Sequence, residues 1–130
     1  MNLALRATAP LALMALIFYL SAQESIPGDP TELEHVIGHF TEYAVLAALW
    51  AWALAPALGR RALLAAATIS LLYAITDEFH QSFVEGRKAD PLDVLVDACG
   101  IAVALVLVRP GRRLTQSRGS APSPPRTPRL

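Results

Sequence analysis

The sequence predicts an all-α protein, a four-span transmembrane helical bundle with a disordered basic C-terminal tail. Of its 130 residues, 54% are hydrophobic and only 17% are charged, whereas soluble domains carry about a quarter charged residues. The apolar residues fall into four stretches, each close to the length of about 20 residues that a membrane-spanning helix needs. We therefore divide the chain into a transmembrane domain over residues 1–108 and a tail over residues 109–130.

The first apolar stretch covers residues 7–22 and reaches spanning length only with flanking residues. Pro10 lies in its first turns, where a helix tolerates proline. A cleaved signal peptide is the alternative, since Arg6 precedes the apolar run and the small residues Ser21 and Ala22 end it. Three more apolar stretches follow, so the chain needs a membrane under either interpretation.

The second and fourth stretches, residues 36–58 and 92–108, are long enough as they stand. The third, residues 62–76, needs flanking residues and can extend through residue 83 if the helix continues. Residues 109–130 contain six arginines, five prolines and no acid. Such a segment cannot bury enough apolar surface to fold, and this predicts disorder.

The positive charges predict the orientation of the spans, because short cytoplasmic loops carry an excess of lysine and arginine. With four spans, one side of the membrane holds nine positive residues and the other holds two, Arg87 and Lys88. We predict a multi-pass membrane protein with both termini in the cytoplasm. All 11 acids and all three histidines belong to the opposite, extracytoplasmic face or to the helix ends beside it.

Helical spacing arranges these polar residues further. His35, His39 and Glu42 stand at i, i+4 and i+7, which places them on one face of the second helix. Asp93 and Asp97 repeat this spacing on the fourth helix. The candidate catalytic residues are His39, Glu42, Glu78, His80 and Asp93. The candidate substrate-binding residues are Tyr43, Asp77, Gln81, Arg87, Asp90 and Asp97.

Two interpretations of this polar face stay open. Acids inside apolar stretches cost about 2.5–3.5 kcal/mol each near mid-membrane, so such acids are paired or hydrated. They could form a structural network that fixes helix packing, or a pocket for a substrate or ion. A proton-coupled transporter is a further alternative, although the cytoplasmic half carries no matching polar groups.

Several classes of function find little support. The net charge is zero, so we expect no nucleic-acid partner. Cys99 is the single cysteine, which excludes an intramolecular disulfide. The segment HFTEY lacks the second histidine of a zinc-binding HExxH motif. We assign no metal and no cofactor, although the acids and histidines include suitable ligand types.

Three segments resemble the VanZ-like family of small bacterial membrane proteins, which is named for a protein linked to teicoplanin resistance. They are IFYLSAQ at residues 17–23, HFTEYAVL at 39–46 and DEFHQSFVEGR at 77–87, the last followed by acids and by Gly100. The chain departs from the family pattern at Glu85, where proline is frequent, and at His35, where lysine is frequent.

The resemblance implies a four-span inner membrane protein of the cell envelope and, in some members, a role in resistance to teicoplanin-type glycopeptides. The partners we expect are membrane lipids, with a lipid-linked envelope precursor or a glycopeptide as the bound molecule. A bundle of this size is also compatible with a homo-oligomer. Whether a reaction is catalysed is left open. The main alternative is a non-enzymatic membrane assembly module.

Overall fold

A computed structural model describes residues 2–24 and 31–109 of the chain. It contains four helices, α1 (Leu3–Ser21), α2 (Glu32–Leu58), α3 (Arg61–Gln81) and α4 (Pro91–Leu107). The described residues contain no strand, and the all-α prediction is confirmed. Helix α3 continues beyond its apolar stretch, as the sequence allowed. The tail predicted to be disordered lies outside the described residues from residue 110 onward, so its disorder stays a prediction.

Three helices, α1, α2 and α3, are long and apolar enough to cross a membrane. Helix α4 has 17 residues, at the lower end of the range of about 17–25 residues expected for a span. Large apolar side chains are exposed along α1 and α3, among them Leu16, Leu64 and Leu72. Exposed apolar surface of this kind suits contact with lipid, and the fourth span stays a prediction.

Local sequence signals define the helix boundaries. Thr31 and Glu34 form a reciprocal capping box at the start of α2, which satisfies two backbone N–H groups that the helix itself leaves unpaired. Asp90 caps α4 by accepting a hydrogen bond of 2.9 Å from the Leu92 N–H group. Gly59 follows α2 with φ 53°, a left-handed conformation that favours glycine.

Helix α2 lies at the centre of the bundle and packs against the other three helices. The core forms around Tyr43, Leu46 and Ala47 of α2, with Ile17 from α1 and Ala74 from α3. The face of α3 that packs inward begins with small residues, Ala62, Ala66, Ser70 and Ala74. Small side chains let membrane helices approach closely and gain van der Waals contact.

At Gly100, helix α4 lies very close to the backbone of α2. A Cβ atom at this position would lie 3.1 Å from the carbonyl carbon of Phe40 and 3.2 Å from its Cα atom, and nearer still to its carbonyl oxygen. These atoms belong to the backbone and cannot turn aside as a side chain can. The absence of a side chain at Gly100 therefore sets the spacing between α2 and α4.

At the other end of the bundle, an arginine of α1 donates a hydrogen bond to a carbonyl of α2 that a proline leaves without its helical partner. Pro56 lies in the last turns of α2 and has no N–H group to donate to the carbonyl of Trp52. Arg6 of α1 takes that place, donating from Nη1 to the Trp52 carbonyl oxygen at 3.0 Å. Its guanidinium also lies 4.7 Å from the centre of the Trp52 ring.

The polar ends of the helices meet at one end of the molecule. Side-chain hydrogen bonds join Ser21, at the end of α1, to Asp77 and Gln81, near the end of α3. They also join His35, in the first turns of α2, to Asp93 in the first turn of α4. We call this region, formed by the C-terminal ends of α1 and α3 and the N-terminal ends of α2 and α4, the polar end.

Candidate functional site

A pocket of about 150 Å³ opens at the polar end, between α1, α2, α3 and the connection that follows α3. Its lining is mixed, with two apolar side chains and Ser21 from α1 and mostly polar side chains from the other elements. The lining residues are Ile17, Leu20, Ser21, Glu34, His35, Gly38, His39, Glu42, Asp77, Gln81 and Arg87. Five of the candidate site residues predicted from the sequence are among them.

The α2 stripe lies on the pocket as its helical spacing predicts. His35, His39 and Glu42 all line the pocket. Tyr43, one residue further, is instead fully buried in the core. Among the described residues, the Glu42 carboxylate has no hydrogen-bond partner, although its side chain is half-buried. Glu42 is therefore the wall residue whose acceptors are available to a bound molecule.

Helix α4 supplies a row of acids that contacts the α2 histidines. His35 Nε2 lies 3.1 Å from Asp93 Oδ2, and His39 Nδ1 lies 3.0 Å from Asp97 Oδ1. The side chain of Asp97 is only 1% exposed, and neither acid lines the pocket. Because each acid holds a histidine that does line it, Asp93 and Asp97 orient the pocket wall from outside.

Asp77 of α3 is the centre of a second buried network. Its Oδ1 accepts a hydrogen bond of 2.5 Å from Ser21 Oγ, and its Oδ2 accepts one of 3.2 Å from the Tyr43 hydroxyl. Gln81 donates to Ser21 Oγ at 2.8 Å and contacts Asp77 Oδ2 at 3.4 Å. These bonds join α1, α2 and α3 at the floor of the pocket.

Arg87 lines the pocket and also closes the end of α1. Its Nε donates to the Gln23 carbonyl at 3.1 Å, and its Nη2 donates to the Leu20 carbonyl at 3.2 Å. The last carbonyls of a helix lack partners within the helix, so these bonds fix the arginine over the α1 terminus. The Nη1 group has no hydrogen bond to any described residue and stays available to a ligand.

Three other candidate residues lie away from the pocket lining. Glu78 Oε1 accepts a hydrogen bond of 2.5 Å from the Asp90 N–H group, which ties the α3–α4 connection to α3. Asp90 itself is exposed and caps α4. His80 stacks on Phe18 of α1, with ring centroids 4.4 Å apart. Of the five residues predicted to be catalytic, His39 and Glu42 line the pocket, whereas Glu78, His80 and Asp93 lie outside its lining.

Three polar pocket residues, Ser21, Glu34 and His35, were missed as site residues by sequence reasoning. The signal for His35 was present in its spacing from His39 and Glu42. Ser21 ends an apolar stretch, and the residues one turn before it, Ile17 and Phe18, are apolar, so helical spacing within the stretch could not single it out. Its place within the segment IFYLSAQ was the one available signal.

This architecture defines a class: a small helical membrane protein with a half-open polar pocket at one end of its bundle. The family model described as VanZ/LLP1 matches residues 7–112 of the chain. The match spans well over half of the chain and includes all four helices from residue 7 onward. The chain belongs to the VanZ/LLP1 family, as the resemblance of its three segments predicted. No curated protein and no solved structure shows significant similarity to it.

Proposed function

We propose that the protein binds the polar part of a lipid-linked or amphipathic molecule of the bacterial cell envelope in the pocket at its polar end. The observation that carries the proposal is that some polar groups in that pocket are hydrogen-bonded to the protein itself, whereas others have no such partner among the described residues. Asp77 and Ser21 are saturated by one another and by their neighbours. Glu42 and one amino group of Arg87, by contrast, are available to a molecule bound there.

The chemistry of these groups suggests the kind of headgroup. A guanidinium matches the geometry of phosphate and carboxylate groups, while the Glu42 carboxylate accepts from hydroxyl, amide or ammonium donors. A headgroup that carries an anionic group beside a donor complements both. Phospholipids with an amino headgroup and lipid-linked sugar phosphates share this chemistry.

The apolar part of such a molecule has a path along α1. Ile17 and Leu20 line the pocket, and Leu16 and Tyr19 are exposed on the same helix. An acyl or prenyl chain could follow this surface into the membrane while its headgroup lies in the pocket. The pocket then faces the extracytoplasmic side if the orientation predicted from the positive charges is correct, and envelope precursors are displayed on that side.

The proposal is tested by lipid mass spectrometry of the protein purified in mild detergent in the presence of EDTA. We expect a co-purified lipid species whose amount falls at least fivefold in Glu42→Gln and Arg87→Gln. The matched controls are Glu32→Gln, an exposed acid in the first turn of α2, and Lys88→Gln, an exposed cation beside Arg87. Retention of the same lipid by all four variants, or the absence of any enriched lipid, would contradict the proposal.

A second candidate function is supported by the buried networks. The His–Asp pairs and the Asp77 network join helices to one another, as a structural network in an assembly module would. Under this alternative, Glu42→Gln leaves every function intact, while Asp97→Asn lowers both protein level and assembly. A Glu42→Gln variant that is present at the normal level but lacks bound lipid would favour binding over assembly.

A contribution to resistance against teicoplanin-type glycopeptides belongs to the same proposal and can be measured separately. Expression of the protein in a susceptible bacterium should raise the inhibitory concentration of such an antibiotic, and Glu42→Gln should remove the increase. An unchanged inhibitory concentration would remove the resistance role while leaving the lipid-binding result to stand alone.

A further inference from the structure

Two histidines and one acid converge where α2 packs against α4. His35, His39 and Asp93 each offer a ligand atom, and these three atoms lie within 4.8 Å of one another. From this geometry we propose that His35, His39 and Asp93 bind a divalent transition-metal ion of the zinc class. The proposal does not depend on the identity of a lipid, and it departs from the sequence prediction, which assigned no metal and did not consider His35 as a ligand.

The distance between two of these ligand atoms suits such an ion. Zinc bonds of about 2.0–2.1 Å in tetrahedral geometry place neighbouring ligand atoms about 3.3 Å apart. His35 Nε2 and Asp93 Oδ2 are 3.1 Å apart, close to that separation before any ion has drawn them together. Histidines one turn apart on a helix are also a recurrent way of holding zinc, because both rings project from the same face.

The support behind His39 is an independent observation. Metal-bound histidines commonly donate their second ring N–H to a carboxylate, which fixes the tautomer and the orientation of the ring. His39 Nδ1 lies 3.0 Å from Asp97 Oδ1, and the Asp97 side chain is 1% exposed. A neutral His39 that donates from Nδ1 to Asp97 keeps the lone pair of Nε2 for an ion. Asp97 is thus a positioning residue for this site.

The pocket provides access and an open coordination position. His35 and His39 both line the pocket, and the His35 side chain is 28% exposed. Glu42 stands one turn beyond His39 on the same wall, without a hydrogen-bond partner among the described residues. Three protein ligands with a fourth position open to solvent is the arrangement of zinc sites that bind or activate small groups.

A plain ion pair is the competing explanation. A protonated His35 beside Asp93 accounts for their contact without any metal, and the two explanations differ in what happens when zinc is added. An ion must displace the proton between the two side chains, because metal ligands bind in their deprotonated forms. An ion pair with no affinity for metal would leave zinc in solution.

The test uses the full chain with a tag that contains no histidine, purified in detergent and stripped with EDTA. Zinc binding is measured by titration against a fluorescent chelator and by elemental analysis after desalting. Cobalt substitution adds a visible absorption spectrum that reports the coordination geometry. The ligand variants are His35→Gln and Asp93→Asn. The control is His80→Gln, which removes the third histidine of the chain from its place against Phe18.

We expect one zinc ion per chain, bound with a submicromolar dissociation constant, and a loss of at least 100-fold in affinity in His35→Gln and Asp93→Asn. His80→Gln should bind like the unmodified protein. Asp97→Asn should bind about 10–100-fold more weakly, the usual effect of losing a residue that supports a metal ligand. X-ray absorption of the zinc-loaded protein should show two imidazole ligands.

Two results would overturn the proposal: a dissociation constant of a micromolar or weaker for the unmodified chain, or equal losses in His35→Gln and His80→Gln. His35 lies at the rim of the pocket, so its substitution is the variant least expected to disturb folding, and gel filtration verifies this. Lipid retention is measured in EDTA, so failure of the metal site and failure of lipid binding give different results.

Discussion

The close approach of Gly100 to the Phe40 backbone predicts that Gly100→Ala destabilises the protein. The added Cβ atom would lie 3.1 Å from the Phe40 carbonyl carbon, whereas comfortable carbon–carbon contacts begin at about 3.5 Å. Since the obstructing atoms belong to the Phe40 backbone and cannot turn aside, α2 and α4 must move apart. Such overpacking costs about 1–3 kcal/mol.

Separation of α2 and α4 would also lengthen the two His–Asp contacts of 3.0 and 3.1 Å between these helices. Each lost hydrogen bond adds about 0.5–1.5 kcal/mol, so we expect the free energy of unfolding to fall by about 2–6 kcal/mol in total if both contacts are lost. Unfolding is followed in mixed detergent micelles with increasing SDS, using helical circular dichroism as the signal.

Gly38→Ala is the matched control, because a Cβ at Gly38 meets no atom within 4 Å. Alanine is preferred over glycine inside a helix by about 1 kcal/mol, so this control should be neutral or stabilising. Equal unfolding free energies for the two variants would show that the interface between α2 and α4 is not as tight as described, and would refute the reasoning.

Two further predictions concern single hydrogen bonds. Arg6→Met should lower the free energy of unfolding by about 1 kcal/mol. The loss should be much smaller in a Pro56→Ala background, because α2 then regains its own N–H donor to the Trp52 carbonyl. An equal loss in both backgrounds of this double-mutant cycle would contradict the hydrogen bond between Arg6 and Trp52. Tyr43→Phe should cost about 0.5–1.5 kcal/mol, because Asp77 keeps its other donors, while Tyr19→Phe, at an exposed site, should have no effect. A Tyr43→Phe protein as stable as the Tyr19→Phe control would show that this hydrogen bond contributes nothing.

The sequence predicted the helices well because length and hydropathy act locally, although the prediction did not use the capping residues that define where two helices begin. Thr31 and Asp90 stand directly before helices and cap them, and the third helix extends to Gln81 as the sequence allowed. Helix α4 is the exception, since its 17 residues place it at the limit of what length alone can classify as a span.

The site was predicted less completely, for a physical reason. Periodicity places side chains on the same face of one helix, but it does not say which neighbouring helix that face meets. It could therefore group His35 with Glu42, yet it could not show that Asp93 and Asp97 stand behind the histidines. It also could not show that one carboxylate oxygen of Glu78 accepts a hydrogen bond from the backbone of the α3–α4 connection. Those facts depend on packing between helices.

The pairing of Arg6 with α2 has a consequence for how the protein enters a membrane. Positive residues beside the first span bias the orientation in which a chain inserts, and Arg6 is such a residue. The same side chain supplies the donor that Pro56 withholds from α2. If the orientation predicted from the positive charges is correct, moving this charge to another position would weaken both the orientation signal and the bond between α1 and α2, so that topology and stability would change together.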